Sequence, residues 1–196
     1  AWTMSAVQGY DKDDKNGFFT RMYQSYNLCM VLVCSVLIML SRVMAKVLYA
    51  NDFYNAWKYV PFLLIASVFG ALSGYVGGIY AATKDTKIFA KTSIMGAVTN
   101  LLLTFVLVWK VGVMGAAIAS PVSYGLIWYL RIKGIDKYMN MKINLFKDVF
   151  GYIILFIQTV LLFIFPDNIL FFILQLLAIV ILLLLNKELL SIVIIK

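Results

Sequence analysis

Arg42 and Lys46 are the basic pair whose spacing suits chemistry. They lie four apart at the end of an apolar run, so a helix places both on one face. Such a pair either snorkels to lipid headgroups or meets an anionic substrate at the mouth of a cavity. Asn100 is a polar amide deep inside another apolar run, with Gly96 and Thr104 at the same four-residue spacing. An unpaired amide in hydrocarbon is costly, so Asn100 is expected to face protein or a cavity and to be available to a substrate. Pro121 interrupts a third run, where it removes one backbone hydrogen bond and kinks the helix. Kinked helices line binding sites in many transporters, but prolines also occur in ordinary membrane helices. Lys84 and Lys87 hold a position comparable to the Arg42 pair on the opposite side, where they set topology or meet a ligand.

Other chemistry has no residues to run on. The chain has no His, which removes the commonest general base and metal ligand. Cys29 and Cys34, five apart in an apolar run, match neither a metal motif nor a redox pair and read as inert thiols. There is no pair of carboxylates within an apolar run, no nucleophile elbow and no phosphate-cradling glycine loop. We therefore expect no catalytic residue, no metal and no cofactor, and no proton or sodium relay within the spans.

The elements that would position Arg42, Asn100 and Pro121 are membrane helices. Of 196 residues, 63% are hydrophobic and 13% charged, and the apolar residues fall in long blocks. Six spans are predicted, at residues 26–47, 60–82, 93–108, 113–132, 149–165 and 169–185. Two connections are tight, at residues 109–112 and 166–168, which makes antiparallel pairs. The formal charge of +8 comes from basic residues flanking the spans rather than from a basic face on a soluble module, which argues against nucleic acid as a partner. Alternate connections carry 13 basic residues against 4. The positive-inside rule then places the start of the chain, the loops at residues 84–91 and 131–147, and the C-terminus in the cytoplasm. Ahead of the first span, Phe18, Phe19, Met22, Tyr23 and Tyr26 share a helical face. That face suits an amphipathic helix lying on the cytoplasmic surface or one packed beneath its own protein. Residues 189–195 are apolar but too short to cross.

Small residues mark where helices approach closely. In the second span Ala66, Gly70, Gly74, Gly78 and Ala82 recur every four residues. In the fourth, Gly112, Ala116 and Ser120 form one such series and Gly115, Ala119 and Ser123 another. Association inside lipid relies on close packing, which this spacing allows. The contact is either static or a surface along which a helix slides or bends, since Gly77-Gly78 weakens its helix locally. Gln158 and Gln175, isolated in the last two spans, would bridge those helices; otherwise both are Leu/Ile/Phe-rich and read as peripheral and lipid-facing.

The segment from Val111-Gly112-Val113-Met114-Gly115 through Ala116-Ala117-Ile118-Ala119-Ser120, with Ser123-Tyr124 after it, resembles the "G-[IV]-x-G-A-A-[IL]-A-[ST]…S-Y" stretch of the polysaccharide-biosynthesis flippases. These are the oligosaccharide-lipid branch of the multidrug/oligosaccharidyl-lipid/polysaccharide exporter superfamily. Ala1-Trp2-Thr3, the run from Tyr49 to Pro61, Ala82-Thr83-Lys84-Asp85-Thr86-Lys87 and Val98-Thr99-Asn100 resemble further family stretches in the same order, so the resemblance covers nearly the whole chain. Met4 and Trp109 stand where the family often has Pro, and Pro121 is atypical.

The resemblance implies an all-α integral membrane protein whose six transmembrane helices correspond to the last six of a fourteen-helix, two-lobe transporter, the chain being a piece of something longer. Residues 1–25 would be a cytoplasmic lead-in, 26–133 four helices of the C-terminal lobe, 134–148 a cytoplasmic loop, and 149–196 two appended helices and a tail. It further implies translocation of an undecaprenyl-diphosphate-linked oligosaccharide across a bacterial or archaeal cytoplasmic membrane by alternating access, for lipopolysaccharide O-antigen, capsule or exopolysaccharide. The partners would be the lipid bilayer, the lipid-linked oligosaccharide and other polysaccharide-assembly membrane proteins. The alternatives are a cation-coupled multidrug exporter of the same superfamily and a membrane-embedded glycan-processing enzyme.

Overall fold

The computed structural model describes residues 10–48, 51–83, 85–165, 168–187 and 189. Six α-helices are present among them: α1 (Phe18–Leu48), α2 (Val60–Ala82), α3 (Thr86–Val111), α4 (Val113–Ile135), α5 (Leu145–Ile164) and α6 (Ile169–Leu185). A 3-10 helix, Asn51–Lys58, follows α1. No strand occurs among the described residues. Helices α1 to α5 are long and apolar enough to cross a membrane. Helix α6 has 17 residues. At about 1.5 Å per residue it reaches ~26 Å against roughly 30 Å of hydrocarbon. The expected matches at Ala1-Trp2-Thr3, Tyr49 and Lys84, most of the 166–168 turn and most of the tail lie outside the described residues.

Helix starts differ from the expected span edges where caps act. Asp85 accepts a hydrogen bond from the Lys87 N–H at 3.2 Å, and this cap begins α3 seven residues before Ser93. The lead-in to α1 is not a separate helix. Asp14 accepts from the N–H groups of Phe19 and Thr20, both at 3.0 Å, and from the Thr20 hydroxyl at 2.6 Å. From there one helix runs unbroken to Leu48. Phe19 and Tyr23 are buried beneath the protein, while Phe18, Met22 and Tyr26 are exposed.

The Asp85 cap is braced from a second segment. Tyr138 donates its hydroxyl to Asp85 Oδ2 at 2.6 Å. That bond, more than the Lys87 N–H, holds the Asp85 carboxyl below its usual range and the Tyr138 phenol above its own. A depressed carboxyl pKa gives stability that is present above the unfolded value and lost as pH falls through the folded one. Tyr138→Phe should therefore move the Asp85 pKa up toward the ordinary carboxylate value. A carboxylate NMR titration reads this directly; an unmoved titration would show that the bond is not formed.

The described residues divide into two compact units. One joins the chain up to Tyr26 to Ala66–Ile143; the other joins Asn27–Ile65 to the chain from Asn144 onward. In the first unit, α3 and α4 form a tight antiparallel pair about Gly112, whose φ of 63° and ψ of −149° suit glycine. A Cβ on Gly115 would come within 2.3 Å of the Leu107 carbonyl carbon and 2.6 Å of the Val108 nitrogen, so the two backbones touch here. Only Thr92 and Gly96 of α3 are buried. Leu101, Phe105 and Trp109 point outward, as a lipid-facing helix requires.

The second unit is tied by polar side chains at three levels. Asn27 donates to Asp148 at 2.8 Å and accepts from the Tyr152 hydroxyl at 3.0 Å. Ser35 donates to Gln158 Oε1 at 2.8 Å, and Gln158 donates to Gln175 Oε1 at 2.8 Å. Arg42 donates to the carbonyl oxygens of Phe165, at 2.9 Å, and Leu162. Gln158 and Gln175 thus bridge α5 and α6 as the sequence suggested, with Ser35 of α1 as a third member. The contacts advance in the same direction along α1 and α5, so these helices run parallel and start on the same side. Gln158→Leu should lower thermal stability by ~0.6–2 kcal/mol, because Gln175 loses its donor. Replacing both glutamines by Leu should recover part of the loss, which a melting series in detergent would check.

Candidate functional site

Unit one contains a cavity of about 650 Å³ framed by α2, α3 and α4. Its space comes from absent side chains. Gly70, Ser73 and Gly74 line it from α2; Ser93, Gly96, Ala97 and Asn100 from α3; Ser120, Ser123 and Tyr124 from α4. The serine hydroxyls are oriented by their own helices. Ser73 donates to Gly70 O at 2.9 Å, Ser120 to Ala116 O at 3.2 Å and Ser123 to Ala119 O at 2.8 Å. With its hydrogen engaged, each of these hydroxyls presents an oxygen lone pair to the cavity.

One charged side chain lines it: Arg131, 4% exposed. A long helical side chain leans toward the N-terminus of its helix, so Arg131, near the end of α4, reaches back into the bundle. Its Nε donates to Thr92 Oγ at 3.1 Å, Nη1 to the Ser73 carbonyl at 2.8 Å and Nη2 to Ser93 Oγ at 2.8 Å. Nη2 also lies 3.5 Å from the Phe89 carbonyl, and the guanidinium carbon sits 4.1 Å from the Phe89 ring centroid. Thr92 and Ser93 donate in turn to backbone carbonyls of α3. The Arg131 carbonyl accepts from the Tyr80 hydroxyl at 2.7 Å, which fixes the backbone under the side chain. Gly77 leaves room for the stack: a Cβ there would meet the Phe89 ring at 2.6 Å.

Every partner of the guanidinium is uncharged. A buried cation without a carboxylate is expensive, and five guanidinium N–H groups exceed the four acceptors described. The geometry holds a positive charge with no carboxylate partner against a cavity whose wall sets hydroxyl oxygens and one amide among the apolar Ala97, Leu101 and Ile127. That arrangement suits an anionic group bearing hydroxyls.

Asn100 lines this cavity, as its place in an apolar run suggested, together with Gly70 and Gly74. Gly78 and Ala119 are buried in the same unit, and Gly115 and Gly112 build the α3–α4 turn. Pro121 lies within α4, one residue from cavity-lining Ser120. Arg42 and Lys46 fall in the other unit, so Asn100 is not grouped with them. Arg42 stacks 4.5 Å from the Trp57 ring centroid while capping the last carbonyls of α5, a favourable place for a cation; Lys46 is exposed. Arg131 was missed as a site residue, because an arginine ending an apolar run reads as a topology anchor. One signal pointed to it: the series Gly115, Ala119, Ser123 continues at the same spacing through Ile127 to Arg131.

Among the described residues, long apolar helices pack through small residues around a cavity that holds one buried cation. Over its full length the chain is similar to lipid II flippase MurJ in its inward closed conformation, with a TM-score of 0.65 and 16% identity. It spans 44% of the length of that chain. No protein-family model matches, and no curated protein does. At this identity the likeness shows the fold: an all-α membrane fold that matches part of that flippase.

Proposed function

We propose that this chain is part of a flippase that carries an anionic, lipid-linked oligosaccharide across a cytoplasmic membrane, with the headgroup passing through the Arg131 cavity. One observation carries the proposal: a buried guanidinium with only neutral partners lines a roomy cavity in a fold of flippase type. Arg131 would attract the phosphate charge, which a charge-assisted hydrogen bond favours. Asn100 supplies a donor and an acceptor for sugar hydroxyls, and the serine oxygens accept from them. Gly70, Gly74 and Gly96 keep the volume that a sugar needs.

The polysaccharide branch, an undecaprenyl-diphosphate carrier, other polysaccharide-assembly proteins and a cytoplasmic C-terminus belong to the same proposal. So do the assignment of residues 26–133 to one lobe and 149–196 to appended helices, and the bending of α4 at Pro121. For Arg42 and Lys46 we propose substrate contact in addition to the cap: Arg42→Lys would keep the charge and lose the fork. A cation exporter would want a carboxylate in the cavity, whose described wall carries a cation instead.

The test uses the intact protein in proteoliposomes containing a fluorescent prenyl-diphosphate oligosaccharide. The expected result is time-dependent loss of the protected inner-leaflet pool to a membrane-impermeant quencher, above protein-free vesicles. Equal rates with and without protein would overturn the proposal.

A further inference from the structure

We propose that the Arg131 cavity is the head half of a two-part site, and that a groove on the other side of Gly74 holds the apolar chain of the same amphiphile. This rests on the anion-binding reading of the cavity. The groove has a volume of about 420 Å³ and lies within the same unit. Met22 and Tyr26 line it from the start of α1, and Ala71, Gly74 and Tyr75 from α2. Its walls are apolar. The Tyr26 and Tyr75 rings stack with centroids 6.1 Å apart, and the Tyr75 hydroxyl is engaged by the Phe19 carbonyl at 2.9 Å.

Gly74 borders both spaces. Helical geometry explains why. Gly70 and Ser73 precede it by four and one and turn toward the cavity, whereas Ala71 and Tyr75 turn toward the groove. Gly74 is the crest between them. A Cβ there would meet no heavy atom within 4 Å, so close helix packing does not account for the glycine. What its lack of a side chain does leave is a low saddle between a cationic, hydroxyl-lined space and an apolar one. A molecule with an anionic head and one prenyl or acyl chain matches both sides in charge and polarity. A second helix would match only the groove.

The experiment titrates the intact protein in phosphatidylcholine nanodiscs with inorganic pyrophosphate, farnesyl diphosphate and farnesol, followed by calorimetry. The wild type should bind farnesyl diphosphate at least tenfold more tightly than pyrophosphate, and more tightly than farnesol. Ala71 lines the groove and not the cavity, so Ala71→Phe should abolish the tail preference while leaving pyrophosphate affinity within a few-fold. Met22 is half exposed and lines the groove from α1, so Met22→Asp should reduce the preference from that side. Retention of the preference in both variants would overturn the proposal, as would farnesol binding as tightly as farnesyl diphosphate, the mark of bulk lipid in the groove. Pyrophosphate binding without any tail preference in the wild type would sink the groove alone. Binding of neither diphosphate would sink the cavity reading beneath it.

Discussion

Arg131→Met should weaken headgroup binding roughly ten- to a hundredfold while leaving the fold as stable as the wild type, or more so. The guanidinium is buried against the Ser73 carbonyl, two hydroxyls and the Phe89 ring, with no carboxylate among its partners. Replacing a buried charge by an apolar side chain of similar volume is often neutral or stabilising by ~1–4 kcal/mol. Here the change strands little. Thr92 and Ser93 keep their bonds to the carbonyls of Ile88 and Phe89, and the Ser73 carbonyl lies within α2. A charge-assisted hydrogen bond to an anion is worth ~1.5–3 kcal/mol, roughly ten- to a hundredfold in affinity. Arg131→Lys should recover only part of it, because an ammonium cannot hold Thr92, Ser93 and the Ser73 carbonyl with one planar fork. Melting curves beside diphosphate titrations separate the two effects. A variant that melts much lower and still binds would mean that Arg131 is structural.

Gly115→Val should be the most damaging single change in the first unit. At Gly115 the α4 backbone meets the α3 backbone, and even a methyl group would stand 2.3 Å from the Leu107 carbonyl carbon. No rotamer change relieves a clash with main chain. The helices must separate or the turn at Gly112 must open, and overpacking of this kind costs ~1–3 kcal/mol or more. Because α3 and α4 also frame the cavity, the variant should lose affinity and stability together, unlike Arg131→Met. Gly74→Ala is the control for stability, since its Cβ would meet nothing within 4 Å. Its melting temperature should stay at or slightly above the wild-type value, Ala being the better helix former. Equal melting of the Gly115→Val and wild-type proteins would contradict the backbone contact.

Apolar length made most of the fold legible. Val60–Ala82 and Ile169–Leu185 coincide with expected spans because turn-forming or polar residues bound their apolar runs on both sides. Helix starts set by Asp14 and Asp85 were less legible, since a cap acts through one oxygen rather than a periodic pattern. The 3-10 helix at Asn51–Lys58 is too short for a period to show. Within the stripe of Gly115, Ala119 and Ser123, Gly115 meets the α3 backbone. Continued at the same spacing the stripe reaches Arg131, but spacing alone does not separate an inward charge from a headgroup anchor, because the two differ in the direction the side chain takes. Arg42 had the converse fate: its observed cap depends on where α5 ends, a tertiary fact.

The cavity's role in translocation can be tested by protection. In the intact protein, with Cys29 and Cys34 replaced by Ser, Ser120→Cys puts one thiol on the cavity wall, on the helix that carries Arg131. During active transport of a prenyl-diphosphate oligosaccharide, the substrate should slow labelling of this thiol by a polar methanethiosulfonate reagent, and Arg131→Gln should remove the protection. Undiminished labelling in vesicles that are still transporting would show that the substrate takes another route.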